Sequence, residues 1–459
     1  MSKLDIRKII DEYSDELVTL SKSIWNNPET SYNEVFASSL QKDFLKKYGF
    51  NIIDVKGMET AFIAEYGEGK PIIGILGEYD GLDNLSQKVS FSREAVLESA
   101  PGHGCGHNLL GVGSIGAALA IKTLIDKGEL KGTIRYYGCP GEEELSGKVY
   151  MAEKGCFRDL SCALSWHPFD VNIPMKMGSL ASYSVKFKFK GIASHAGQSP
   201  HTGRSALDAV ELMHVGVNYL REHVIDKIRI HYIITKGGER PNIVPGYAEE
   251  WMFIRGPKAS DVKDTLRRIE NIAKGAALMT ETKMEYEVIS GVYDYRPNRT
   301  LIEVLDKNYR EIGVPKYNEK EVLFAEKLGQ SLSMQQRRDV ITSVGGNESL
   351  LSENIHSEVG DFNNYNIIAT GSFDLGDVSY IVPTAQISAA AWPLGTPAHT
   401  WQSTAASGST LGFKAMINAS KVLGYSAYDL FEDSKLLDKA WKEFEDNTKD
   451  KYKALTAID

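Results

Sequence analysis

Residues 100–116 read APGHGCGHNLLGVGSIG, with His103, Cys105 and His107 inside five positions and a glycine-spaced apolar run behind them. How this stretch is read decides between a dinucleotide-binding fold and an α/β fold built around a metal. Gly111, Gly113 and Gly116 have the spacing of the dinucleotide fingerprint and lead into the helical pattern SIGAALAIKTLIDKG. That fingerprint needs a strand directly upstream, so that the helix N-terminus meets a pyrophosphate. Here the upstream residues are PGHGCGHNLL, a loop dense in Gly and His. The glycines therefore read as positions of close helix–sheet packing. A metal, by contrast, needs three or more imidazole, thiolate or carboxylate groups converging from several segments.

Candidates for that convergence lie on both sides. The β-rich runs FNIIDV, TAFIAEYG and PIIGILGEYD precede the stretch, and GTIRYYGCPGEEE, the helical LSGKVYMAEKG and the strand CALSWHP follow it. Glu78 and Asp80 finish one strand, Glu142, Glu143 and Glu144 lie just beyond another, and His167 ends a third. In open α/β sheets, ligands gather outside the carboxyl ends of the strands, where all these groups fall. Taken singly, each has a bland reading. Cys105 is a buried small hydrophobe, the glutamates a solvated helix start, and His167 an ordinary strand-end residue. Together at strand ends they favour a metal site.

Apolar residues Ile6, Ile9, Ile10, Tyr13, Leu17, Leu20 and Ile24 recur at three- and four-residue intervals, describing an amphipathic helix that ends near NNPE. From residue 181 the pattern changes to the alternation ASYSVKFKFKG, then the helix GRSALDAVELMHVGVNYLREHV, the strands IRIHYIIT and YAEEWMFIRG, the helix DVKDTLRRIENIAKGAAL and the strand KMEYEVISG. The order β-α-β-β-α-β is ferredoxin-like. Beyond residue 294, strands are expected at NIIATGS and TAQISAAAW and one long helix from Ser403 to Leu423, while residues 320–370 show no clear order. The expected fold is α/β, a mixed and largely parallel sheet flanked by helices, with an inserted ferredoxin-like α+β domain. The boundaries fall at 1–180, 181–293 and 294–459, the first and last forming one domain.

The composition is that of an ordered globular protein: 459 residues, 42% hydrophobic and 25% charged. A formal net charge of −9 leaves no basic footprint for nucleic acid or an anionic membrane surface. The start MSKLDIRKIIDEYSDEL turns polar where a signal peptide has its apolar core, and no apolar run is expected to reach the ~20 residues of a membrane span. A cytoplasmic protein is expected. Cys105, Cys139, Cys156 and Cys162 do not make a disulfide framework in a chain of this length, and only Cys105 has suggestive neighbours.

These residues resemble the co-catalytic metallopeptidases that include aminoacylases, glutamate carboxypeptidases and dipeptidases. In the amidohydrolase branch of that family a Cys-Gly-His loop is similar to Cys105–His107, a Glu-Glu pair after a strand to Glu142–Glu143, a strand-end His to His167 and a late His to His399. PGHGCGHNLLG, HTGRSALDAV, PNIVPGYAE, DVSYIVPTAQ and TPAHTWQSTAASG look closest to members acting on p-aminobenzoyl-glutamate and to related dipeptidases. The resemblance covers nearly the whole chain and implies a zinc-exopeptidase-like catalytic domain with a lid that also dimerises.

Carried over, it makes Cys105, His107, Glu143, His167 and His399 ligands of two divalent ions, Mn²⁺ or Zn²⁺, and Glu142 the general base. Glu144 is the rival at that turn. His195, in GIASHAGQSPH, matches a lid histidine that steadies the oxyanion, and Asn242 and Arg255 become candidates for the substrate carbonyl and carboxylate. His201 is a further candidate to line the site; His214, His223, His231 and His356 receive no role. Two positions depart from the branch: Asn108, where many members have Asp, and Phe373, where a small polar residue is expected. The implied reaction is hydrolysis of the amide of an N-acyl amino acid, with p-aminobenzoyl-glutamate the leading substrate. The alternatives are a dipeptidase for β-alanyl or basic dipeptides, and a metal-binding subunit inactive without a paralogous partner. The implied assembly is a homodimer, or a heterodimer with that paralogue.

Overall fold

The computed structural model describes residues 3–448 and 451–456. The larger of two compact units takes the chain up to Gly178, Arg296–Thr370 and Asp377–Tyr452; the smaller takes Ser179–Tyr295, Gly371–Gly376 and a C-terminal piece from Lys453.

In the larger unit the chain opens with helices α1 (Lys3–Asn26) and α2 (Val35–Lys47), then strands β1 (Asn51–Asp54), β2 (Phe62–Glu68) and β3 (Ile72–Glu78). Helix α3 (His107–Asp126), β4 (Gly132–Cys139), α4 (Gly147–Glu153), β5 (Cys162–Phe169) and the two-residue β6 (Ile173–Pro174) follow. The smaller unit runs β7 (Ala181–Lys190), α5 (Ala206–Leu220), β8 (Arg229–Lys236), β9 (Tyr247–Gly256), α6 (Ala259–Met279) and β10 (Lys283–Val292). After it come α7 (Arg299–Ile312), α8 (Glu319–Gly329), α9 (Met334–Ser343), α10 (Leu375–Ser379), β11 (Thr384–Ala390), α11 (Trp401–Ser407), α12 (Thr410–Glu432) and α13 (Ser434–Asn447).

The large sheet has the order β1-β2-β4-β3-β5-β11-β6, with β4, β3, β5 and β11 parallel and the outer pairings antiparallel. Its parallel centre is buried on both faces, as a sheet covered by crossover helices must be. Register places the chemistry: Glu78 lies opposite Cys139, and Ile75 opposite Leu164, so Glu78, the turn after Cys139 and His167 emerge side by side at the carboxyl edge.

Helix α3 lies against this sheet and against α1 and α12, and its glycines allow the approach. A Cβ on Gly113 would sit 2.8 Å from the Trp166 ring, and one on Gly111 2.6 Å from the Glu78 carbonyl. The helix starts at His107, earlier than the sequence pattern suggested, because Gly106 adopts φ +75° at its N-cap. It is also long and apolar enough to cross a membrane, contrary to the expectation that no run is. Most of it is buried inside the larger unit, and burying Leu109, Val112, Ile115 and Leu119 stabilises the fold by ~1.5–3 kcal/mol each.

Two expected elements differ. NIIATGS makes only an isolated bridge, Gly178 with Ile368, because Ile367 N–H bonds back to Asn364 and the Asn364 side chain takes the N–H of Asn366, closing a turn. The single helix expected from Ser403 is two, α11 and α12. Thr400 starts the first through a capping box with Ser403. The chain then breaks at Ser409, extended at φ −95° and ψ 170° as the N-cap of the second, after Gly408, where a Cβ would meet the Trp25 ring at 2.3 Å.

The smaller unit has the sheet order β10-β7-β9-β8, all antiparallel, with α5 and α6 packed on it. Along β9, Ala248, Glu250, Met252 and Ile254 are buried while their neighbours are half-exposed. The buried Glu250 is paired with His214 of α5, whose ring stacks on Tyr232.

Candidate metal centre

Among the described residues, three triads of metal-ligating atoms form at the carboxyl edge of the large sheet, each with its atoms within 4.8 Å of one another: Cys105, His107 and His167; Cys105, Glu143 and His399; and Glu78, His107 and Glu142. The first two hold the five residues expected as ligands and have Cys105 in common. The third adds Glu78, which the sequence placed at a strand end without a role, and Glu142, which was expected as the base rather than as a ligand.

The spacings are those of ligands around an ion. With bonds of ~2.0–2.1 Å to N or O and ~2.3 Å to S, tetrahedral geometry separates two N/O ligands by about 3.3 Å and an N from an S by about 3.6 Å. Cys105 Sγ lies 3.6 Å from His167 Nε2. His399 Nε2 lies 3.4 Å from Glu143 Oε2, and His107 Nε2 lies 3.2 Å from Glu78 Oε2. The rings are aimed from behind: His107 Nδ1 meets Asp80 Oδ1 at 2.8 Å and His167 Nδ1 donates to the Pro168 carbonyl at 2.7 Å, so each Nε2 faces inward. Asp80 is in turn fixed by Ser31 Oγ and the backbone N–H of Glu143, both on Oδ2.

Among the described residues, His107 Nε2, Glu78 Oε2 and Glu143 Oε1 are buried without a hydrogen bond, as is Glu34 Oε2 close by. Buried polar atoms are nearly always satisfied, so these residues fit a bound cation. Charge agrees. Glu34, Glu78, Asp80, Glu142 and Glu143 surround the centre, buried or half-buried, while Lys148 is a fully buried cation there, 2.5 Å from Glu78 Oε1. Two divalent ions would neutralise that excess.

Burial and neighbouring charge shift the titration of these groups. Burial, with the nearby Asp80 and Glu78 carboxylates, pushes Glu143 up to about 7. Burial takes His167 down to about 4 and raises the Cys105 thiol, Glu143 adding to the latter. Burial works against a charged His107, but Cys105 and Asp80 outweigh it and hold the imidazole well above its usual range.

His399 reaches the centre on a loop held by its own N–H to the Gly104 carbonyl, with Ser403 Oγ on the same carbonyl, and its backbone adopts φ +60°. Glu142 is buried, its Oε2 3.8 Å from His107 Nε2, whereas Glu144 is exposed. Asn108 points away: its amide nitrogen donates to Ser21 Oγ and to the Ser407 carbonyl, both at 3.1 Å. An aspartate could not donate there, which explains the departure. His103, also buried, contacts the Ile24 carbonyl.

In the smaller unit His195 is exposed and bridges Ile243, next to Asn242. Its Nδ1 accepts from the N–H groups of Gly197 and Gln198, so Nε2 carries the proton and is a donor. Asn242 is exposed and gives its carbonyl to Ala196 N–H. Arg255 lies elsewhere. The chain reaches the Tyr247 end of β9 straight from the Asn242 loop, and Arg255 is roughly 26 Å farther along the strand. His195 and Asn242 are therefore brought together within this unit, and Arg255 is not. His201 is exposed in a short 3₁₀ turn, and Phe373 packs its ring on Tyr295.

Sequence reasoning noted Asp80 without giving it a role, and missed Lys148 and Ser31. Lys148 follows the glutamate turn by a few residues and reads as an exposed helix lysine; only the fold shows it buried.

Residues 179–280 match the peptidase dimerisation domain. Over 441 residues the chain is 38% identical to a subunit of the p-aminobenzoyl-glutamate hydrolase of Escherichia coli (strain K12), covering 94% of this chain and 92% of that one. It is 28% identical to the mouse Xaa-Arg dipeptidase, covering 95% and 90%. Among solved structures, an aminobenzoyl-glutamate utilization protein from Klebsiella pneumoniae superposes with a TM-score of 0.62 at 15% identity, covering 92% of this chain and 97% of that one. A dinuclear metal-binding M20 peptidase of Bacillus subtilis gives 0.58 at 17%, covering 92% and 99%. By fold, by metal-ligand constellation and by this relatedness, the chain belongs to the M20 family of metal-dependent peptidases and amidohydrolases.

Proposed function

We propose that this amidohydrolase cleaves the amide of an N-acyl amino acid, with p-aminobenzoyl-glutamate the leading substrate, and that Cys105 is shared between two metal positions. The observation that carries the reading is the pair of triads with Cys105 in common, at ligand-like spacing. His107 and His167 complete one position, Glu143 and His399 the other. Thiolate and imidazole donors favour Zn²⁺, and the carboxylates accommodate Mn²⁺. Bound there, two divalent ions would polarise the scissile carbonyl and acidify water.

Glu142 then takes the proton from the attacking water and delivers it to the leaving amine; it lies beside Glu143 and outside both Cys105 triads, sharing a third with Glu78 and His107 at the edge of the centre. His195, with its proton on Nε2, is the donor assigned to the developing oxyanion, and Asn242 its neighbour toward the substrate carbonyl. Arg255 is kept as a candidate for the substrate carboxylate, acting apart from that pair.

Assembly as a dimer is supported by the dimerisation-domain match and by the edge strand β8, which exposes Ile233 and Ile234 beside unpaired backbone. Whether the second chain is identical or a paralogue bears on activity, because the E. coli relative is itself one subunit of a hydrolase. The cytoplasm is the proposed compartment.

The test is amine release from p-aminobenzoyl-glutamate by chelator-stripped protein with Mn²⁺ or Zn²⁺ restored. Turnover supports the reading. Silence toward it together with release of arginine from Xaa-Arg dipeptides favours the second reading, which the dipeptidase relative supports.

A further inference from the structure

The segment Ser31–Glu34 touches the candidate centre at three separate points. Ser31 Oγ donates to Asp80 Oδ2 at 3.0 Å, the oxygen that also accepts the backbone N–H of Glu143 at 2.9 Å. Tyr32 Oη lies 2.5 Å from Ser146 Oγ. Glu34 Oε1 accepts the N–H of Gly141 at 2.8 Å. Gly141 and Ser146 are the two ends of the turn that carries Glu142 and Glu143, and that turn closes on itself through Leu145 N–H to the Glu142 carbonyl.

The contacts are tightly specified. Gly141 adopts φ +64°, and a Cβ there would meet the Tyr32 ring at 2.6 Å, so ring and turn are in direct contact. Tyr32 itself has φ +64°, a left-handed conformation that a bulky residue adopts only when its surroundings impose it. The segment is fixed from behind: Gly81 N–H bonds the Glu29 carbonyl, and the Glu29 carboxylate takes the N–H groups of Phe36 and Ala37 at the start of α2. Glu34 is fully buried, so its carboxylate meets no solvent in holding Gly141. All these residues belong to the larger unit.

We propose that Ser31–Glu34 is a clasp in which Tyr32 and Glu34 are positioning residues, setting the place of the Glu142–Glu143 turn. The inference rests on the reading of Glu142 as base. A clasp of this kind acts on turnover: a base displaced by an ångström loses rate while ground-state substrate binding is kept.

The experiment compares Tyr32→Phe, Glu34→Ala and Glu34→Gln with wild type and Glu142→Ala in full-length, metal-loaded protein. Steady-state kinetics on p-aminobenzoyl-glutamate, bound Zn²⁺ per chain, and hydrogen exchange of the peptide spanning residues 141–147 are measured on each. Tyr32→Phe, which keeps the ring on Gly141, and Glu34→Ala are expected to lower kcat by about 10–100-fold with KM within about twofold. Zn²⁺ content stays unchanged in Tyr32→Phe, and exchange at 141–147 quickens in both. Glu34→Gln, whose Oε1 still accepts from Gly141, is expected to recover most of both readouts relative to Glu34→Ala. Unchanged exchange and kcat in Tyr32→Phe and Glu34→Ala overturns the clasp. So does a loss of rate that only follows the fraction unfolded. Full turnover by Glu142→Ala instead sinks the base assignment; if no substrate is turned over by wild type, the exchange comparison alone decides.

Discussion

Asp80 holds His107 from behind, Oδ1 to Nδ1 at 2.8 Å, and with its other oxygen takes the backbone N–H of Glu143. One buried carboxylate thus orients a residue of each Cys105 triad. Replacing Asp80 by Ala frees the His107 ring and removes the fixed tautomer, and such losses behind a ligand typically cost 10–100-fold in metal affinity. Zn²⁺ affinity measured by competition with a chromophoric chelator is expected to fall by about that factor for Asp80→Ala, and less for Asp80→Asn. Wild-type affinity in Asp80→Ala rules the role out.

Glu142 and Glu143 are adjacent in sequence, and the proposal gives them separate roles, base and ligand. Glu143→Ala is expected to lose Zn²⁺ affinity, because Glu143 is in a triad with Cys105 and His399. Glu142→Ala should keep the metal and lose most turnover, by about 10²–10⁴-fold for a general base. Metal analysis beside kinetics separates them; equal metal loss in both variants contradicts the division.

Lys148, fully buried, and Glu78, nearly so, form a pair at 2.5 Å. Removing one partner of such a pair strands the other charge and costs about 3–5 kcal/mol. Lys148→Met is expected to lose that much in denaturant unfolding of the metal-free protein, and Lys148→Met with Glu78→Gln distinctly less. Equal losses show that the pair is not coupled.

His356 is buried, and that burial takes it down to about 4 from the ~6.5 of an unfolded chain. Between those values the unfolded state binds a proton that the folded state refuses, so stability rises with pH and is lost on acidification through this window. The contribution is about 3 kcal/mol, fully present above pH ~6.5. In His356→Asn, whose side-chain oxygen can still accept from Asn172 N–H, urea unfolding between pH 4 and 7 is expected to take up about one proton fewer than in wild type. An unchanged slope contradicts it.

Much of the fold was legible because period-2 and period-3.6 patterns and the β-α-β-β-α-β order are local signals. What misled were tertiary causes. Ser409 leaves helical geometry inside an unbroken apolar pattern, and NIIATGS has strand composition but is closed into a turn by Asn364. At the centre, His, Cys and Glu at strand ends announced themselves by residue type. Lys148 and Ser31–Glu34 did not, because a lysine on a helix and a polar turn after NNPE acquire meaning only from what the fold sets beside them.

The most direct test of a two-metal centre built on a shared thiolate is the Zn²⁺ stoichiometry of stripped and reconstituted protein, wild type against Cys105→Ala. Two ions per chain are expected in wild type, and weakened retention of both in the variant. One ion in wild type, or a variant that loses only one and holds the other at wild-type affinity, contradicts a cysteine common to both positions.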